Sequence, residues 1–133
     1  MKFLLALYGE ERGMQDFSPE ESQREMAAWQ AFDEAAREAG VLLACEGLEG
    51  SHAATTVRVT GGKRHVTDGP FIETKEQLGG FVLLEVRDLD EAMTWAERLP
   101  WNSDGCSTEI RPIMDCDAWN ARADGATRER AAS

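Results

Sequence analysis

Residues 2–8 are apolar on both alternating sides, with Phe3, Leu5 and Leu7 on one and Leu4, Ala6 and Tyr8 on the other. A strand patterned in this way needs cover on both faces. Residues 41–45 (Val-Leu-Leu-Ala-Cys) and 81–86 (Phe-Val-Leu-Leu-Glu-Val) repeat the pattern. Between the first two runs the period lengthens to that of a helix. Ser18 is placed to cap, Pro19 suits the first helical position, and Glu21 completes a capping box. Met26, Trp29, Phe32, Ala36 and Ala39 then form one apolar stripe, Glu20→Arg24 and Asp33→Arg37 are i,i+4 ion pairs on the wet flank, and Gly40 ends the helix. A second helix opens at Asp88-Leu89-Asp90-Glu91, carries Leu89, Ala92, Met93, Ala96 and Leu99 as its stripe, and stops at Pro100. Residues 108–113 read as the last strand.

Residues 55–60 and 63–67 flank Gly61-Gly62, a two-residue turn, and predict a β-hairpin. That register sets Val57 opposite Val66, Val59 opposite Arg64 and Arg58 opposite His65, with Asp68 on the side of the valines. The order is therefore β-α-β, a hairpin, then β-α-β. This is an α+β, ferredoxin-like βαββαβ sheet with an inserted β-hairpin. Two striped helices cover one face of a four-stranded sheet, while three strands are apolar on both. With no third helix expected, a second copy packed face to face is the simplest cover, giving a homodimer with a cleft near the shared edge. Residues 1–114 form this domain. Residues 115–133, with Trp119 as the sole candidate anchor, read as a partly ordered tail.

Composition narrows the class of partner. The chain of 133 residues carries 25 acidic against 14 basic side chains, a net charge of −11. Such a surface repels phosphate backbones and anionic lipid, so neither nucleic acid nor membrane is an expected partner. The apolar start is five residues long and is followed by Glu10 and Glu11, which suits a strand and not a targeting segment. Cys45, Cys106 and Cys116 are odd in number and widely spaced, as befits reduced thiols in the cytoplasm.

The candidate chemistry gathers in the stretch Asp68-Gly69-Pro70-Phe71-Ile72-Glu73-Thr74-Lys75-Glu76-Gln77-Leu78-Gly79-Gly80-Phe81. Asp68 on the valine side of the hairpin would be desolvated and suited to general-base work. It equally suits an Asx turn accepting N–H groups near Gly69 and Phe71. Glu73, Lys75 and Glu76 bring two carboxylates around an ammonium, either to hold and protonate an anionic substrate or as solvated loop charges. Arg64 shares Asp68's side and suits pairing with it or with a carboxylate ligand. Tyr8 and Trp29 suit a cleft wall or plain core, and Gly79-Gly80 a close backbone approach or a bulge. His65 falls on the polar side, and His52 has no ligand-spaced neighbours, so no metal is expected.

Together with Glu46-Gly47-Leu48, Asp88-Leu89-Asp90-Glu91-Ala92 and Glu109-Ile110-Arg111-Pro112-Ile113, that stretch resembles the DGPF branch of the YCII-related family, over about residues 2–113. The resemblance implies a ferredoxin-like monomer in a dimeric α+β barrel. It also implies one of two roles. The wider family includes enzymes with a His–Asp pair in the cleft, one branch resembling a dehydrochlorinating lyase, and DGPF members are often encoded beside alternative sigma factors. The family's helix histidine has no counterpart here, where Trp29 and Gln30 stand nearby. Ile72 replaces a usually small residue, a change that would narrow a pocket. The expectation is a cofactor-free enzyme of proton-transfer or elimination chemistry, with Asp68, Glu73 and Lys75 catalytic and Arg64, Tyr8, Trp29, Phe71 and Glu76 around a small-molecule substrate. The alternative is a non-catalytic ligand-binding or protein-interaction module linked to sigma-factor-type regulation.

Overall fold

The computed structural model describes residues 1–12 and 16–132, side chains excepted at 127–129 and 132. The polar loop expected before the first helix thus lies partly outside the described residues. In chain order the elements are β1 (Lys2–Glu10), α1 (Pro19–Glu38), β2 (Leu42–Gly47), β3 (Thr55–Thr60), β4 (Lys63–Asp68), β5 (Glu76–Glu85), α2 (Leu89–Glu97), β6 (Cys106–Pro112) and α3 (Cys116–Ala132). Four strands form one sheet in the order β2-β5-β1-β6, and β3 and β4 form a separate ribbon. Every neighbouring pair is antiparallel. Strands β1 and β2 therefore run parallel across β5, joined by α1, and β5 and β6 run parallel across β1, joined by α2. That is the ferredoxin-like arrangement with a hairpin inserted between β2 and β5.

Local chemistry explains the element ends. Ser18 accepts the Glu21 N–H at 3.1 Å and opens α1. The Glu21 carboxylate pairs with Arg12 at 3.5 Å, leaving only the serine half of the expected box. Asp33 and Arg37 pair at 2.7 Å, whereas Glu20 and Arg24 form no ion pair among the described residues. Gly61 and Gly62 both take positive φ, 58° and 76°, which lets the ribbon turn with the twist of its strands. The hairpin register is the expected one, Val57 opposite Val66 and Val59 opposite Arg64.

The core lies between the helices and one face of the sheet. Phe3, Leu5, Leu7, Val82 and Leu84 point into it and meet Phe32, Ala36, Ala92, Trp95, Ala96 and Leu99. The rings of Phe32 and Trp95 meet edge to face at 6.1 Å. Both helical stripes differ from expectation. In α1, Phe32 and Ala36 are buried, but Met26 is 64% exposed. In α2, Trp95 is buried while Leu89 and Met93 are not. Turning the indole toward Phe32 shelters more apolar area than either displaced side chain offers.

The chain's end, read from the sequence as a partly ordered tail, carries a helix. This 17-residue helix, α3, is opened by Asp115, whose Oδ1 accepts the N–H groups of Asp117 and Ala118. Alanine and arginine favour a helix, but they give no apolar stripe. Trp119 stays 57% exposed, and none of the described side chains of the third helix joins the core. The outer face of the sheet consequently carries Leu4, Phe81 and Leu83 half-buried and outside the core. No helix among the described residues is long and apolar enough to cross a membrane.

Strand β5 begins five residues before the expected Phe81, because the nine-residue β1 pairs with it down to Glu10 opposite Glu76. Two glycines make this possible. A Cβ on Gly80 would meet the Glu46 carbonyl oxygen of β2 at 2.7 Å. The obstacle is strand backbone, which cannot step aside as a side chain would. Gly80→Ala is expected to lower unfolding stability by about 1–3 kcal/mol, read from urea denaturation. An unchanged midpoint would show that β2 is held more loosely than this.

Candidate functional site

The register of β1 and β5 slips at one point: Leu7 faces Gly80, but Tyr8 faces Leu78. Gly79 is the extra residue of this bulge. An added Cβ there would lie 2.8 Å from Cη2 of Trp101, and one on Gly9 would lie 2.9 Å from Cζ2 of the same indole. Trp101 thus rests on two glycines. Its Nε1 donates to the Tyr8 carbonyl at 3.0 Å. Asn102 anchors the segment, its Nδ2 donating to the carbonyls of Ala96 and Glu97 and capping α2. Sequence reasoning missed Trp101. The signal was there in glycines at the ends of two strands, which ask for a large neighbour.

Two cavities lie on opposite faces of the sheet around this bulge. The outer one, about 800 Å³, sits at the base of the hairpin. Its walls are Tyr8, Leu48, Val57, Phe71, Ile72 and Leu78, with Ser51, Thr74, Glu76 and Gln77 supplying polar groups. The loop over it is held chiefly by its own carbonyls. Thr56 donates to Gly69 O at 2.7 Å, Arg58 to Phe71 O at 3.0 Å, and Gln77 to both Ile72 O and Thr74 O at 3.1 Å. The Gly69 N–H closes the base on Ala54 O at 2.7 Å. Beside the outer cavity, Glu11 accepts the N–H of its wall residue Ser51 at 2.5 Å and the Ser51 hydroxyl at 2.7 Å. These bonds to its charged form hold the Glu11 carboxyl below its ordinary range.

The inner cavity, about 690 Å³, lies between α1 and the β2 edge. Met26, Trp29, Gln30, Asp33 and Glu34 line it from the helix, Cys45, Glu46 and Gly47 from the strand, and Leu7 and Trp101 close its floor. Burial, then the charges of Asp33 and Glu46, push the Cys45 thiol up, which makes it a poor nucleophile.

The candidate residues part company here. Tyr8, Phe71 and Glu76 come together in the outer cavity, and Ile72 narrows it, while Trp29 lines the inner one. Asp68 ends β4 opposite Thr55, is exposed, and lines neither cavity. No Asx turn forms: the Gly69 N–H goes to the Ala54 carbonyl, and the Asp68 carboxylate makes no hydrogen bond among the described residues. Arg64 is exposed on the same side without pairing to it. Lys75 reaches away from the cluster to Glu10, at 3.1 Å, and Glu73 stays in solvent. His65 is exposed opposite Arg58. Among the described residues no three His, Cys, Asp or Glu side chains converge as a metal would need.

The sheet order, the inserted ribbon and the cavity at its base define a ferredoxin-like α+β protein with a pocket built by its central loop. The model of the YCII-related domain matches residues 1–117, and the chain belongs to that family. It is 39% identical over 114 residues to a protein of Rhizobium meliloti (strain 1021) named "Uncharacterized protein R00369", a match spanning 85% of this chain and 92% of the relative.

The Glu11–Ser51 bridge makes the fastening of the Ser51 segment sensitive to acid. A carboxyl whose folded pKa lies below its unfolded one adds stability above the unfolded value, and this is lost as pH falls through the folded value. Glu11→Gln should therefore melt below the wild type at pH 7, with the gap closing on acidification below about pH 4.5. A gap that stays constant down to pH 3 would assign the bridge no electrostatic part.

Proposed function

We propose that this protein binds a small, largely apolar molecule in the outer cavity and does so as a homodimer. One observation carries the binding assignment. Four carbonyls of the loop over the cavity, those of Gly69, Phe71, Ile72 and Thr74, are tied by the side chains of Thr56, Arg58 and Gln77, so the pocket exists before any ligand arrives. A preformed apolar cleft with a few fixed polar groups is what small-molecule sites have in common, and preorganisation lowers the cost of binding. A neutral aromatic ring with one hydroxyl matches the lining: Phe71, Ile72 and Leu78 for the ring, Glu76 and Gln77 for the hydroxyl.

Catalysis is the second reading, and its centre moves. Asp68 lies outside the pocket, whereas Tyr8 and Glu76, a phenol and a carboxylate, share it. They are the pair through which proton transfer or elimination would run. The dimer rests on the outer sheet face, where Leu4, Phe81 and Leu83 are left outside the core, and on the ribbon, where Val57, Val59 and Val66 are 59%, 71% and 54% exposed. The three free cysteines suit a reducing compartment such as the cytoplasm.

Binding is tested with 2-naphthol as the probe, by calorimetry and chemical-shift perturbation. The wild type should bind it saturably, and Ala54→Trp, which fills the cavity, should weaken binding at least about ten-fold with an unchanged circular dichroism spectrum. Asp68→Asn should bind normally. Equal binding by wild type and Ala54→Trp, or no binding by either, removes the outer cavity from the function.

The dimer has its own test. Sedimentation equilibrium at micromolar concentration should return twice the 14.7 kDa chain mass. Leu83→Arg, a charge set into the outer face, should return the single chain, still folded. A wild type sedimenting as one chain ends the dimer proposal.

A further inference from the structure

The inner cavity plays no part in the function proposed above, and its chemistry differs. Two half-buried indoles, Trp29 from α1 and Trp101 from the loop after α2, face one space with Met26 at its mouth. Three carboxylates line the same space: Asp33 and Glu34 on the helix and Glu46 on the facing strand. Among the described residues no lysine or arginine lines it. Arg37 pairs with Asp33 at 2.7 Å, and neither Glu34 nor Glu46 is ion-paired among the described residues.

Indole faces carry negative potential and attract cations, most strongly where water is partly excluded. Uncompensated carboxylates on two facing elements repel each other, and a cation between them relieves that. The net charge of −11 concentrates cations near the surface before any specific contact forms. A bare metal ion does not fit, because no three ligand-type side chains converge among the described residues. The cavity, about 690 Å³, has room for an organic body as well as a charge.

We propose that the inner cavity is a binding site for a small organic cation, an ammonium group carried on an apolar body. The ammonium lies between Glu34 and Glu46, and the body lies against Trp29, Trp101 and Met26. The cavity is on the helix-covered face, so it stays open whether or not a second copy covers the other side. The assignment stands independently of the outer pocket.

The test uses 2-phenylethylamine, with the neutral 2-phenylethanol as its control, in calorimetric titrations of the whole chain. The amine should bind with one site per chain, at least about ten-fold more tightly than the alcohol, and more weakly as salt rises. The double variant Glu34→Gln/Glu46→Gln should lose that preference, while Ala54→Trp, which blocks only the outer cavity, should retain it. Both glutamates are exposed and unpaired, so their exchange leaves the fold intact. Trp29→Phe should weaken the amine more than the alcohol, since a smaller ring holds a cation less well. Equal affinity for amine and alcohol, an unchanged preference in the double glutamine variant, or loss of amine binding in Ala54→Trp would each overturn the proposal.

Discussion

Strand β1 runs down the middle of the sheet, and the way it pairs with β5 places everything else. Above the bulge the two strands match residue for residue and send Phe3, Leu5, Leu7, Val82 and Leu84 into the core. Below it the register slips by one at Gly79, and a slip of one exchanges the faces of a strand. The bulge is stable because Trp101 fills the space that two absent side chains leave, and its N–H takes the Tyr8 carbonyl. One indole therefore fixes the strand end, walls the inner cavity and sets Tyr8 and Leu78 on the outer one. A bulge beside a pocket that re-aims side chains is a recurring device of antiparallel sheets.

The fold was largely legible in the chain, for a reason particular residues show. Residues 2–8 and 41–45, and 81–86 but for Glu85, are apolar on both alternating sides, a pattern that belongs to strands covered on both faces. The Gly61-Gly62 turn admits one register, so the pairs Val57–Val66 and Arg58–His65 followed from local chemistry alone. What failed were the quantities that depend on packing. Met93 and Trp95 are two residues apart on a nine-residue helix, and only the position of Phe32 decides which goes inward. Residues 116–132 form a helix by propensity without an apolar stripe, which a search for buried faces overlooks.

The site was legible in part. The central stretch does build a cavity, and Phe71, Glu76 and Tyr8 meet there because Pro70 and the tied carbonyls fold the loop back over β1. Asp68 and Lys75 did not join them. Alternation along a ribbon says which side a residue takes, but not whether that side faces anything. Here the ribbon stands apart from the main sheet, and its valine side opens to solvent, taking Asp68 with it.

That ribbon makes the strongest physical case for a partner. An isolated pair of strands is at best marginally stable in water. This one is fastened at its base by Gly69 to Ala54, Thr56 to Gly69 and Arg58 to Phe71, while Val57, Val59 and Val66 stay exposed. Its charge also runs against the rest of the chain, since Arg58, Lys63 and Arg64 sit within seven residues of a protein carrying −11 overall. A basic, valine-faced arm on an acidic body complements another such body better than it complements water. In the proposed dimer, covering the arm and covering the outer sheet face become one event. Asp68 would then leave solvent, and its chemistry would belong to the assembly and not to the single chain.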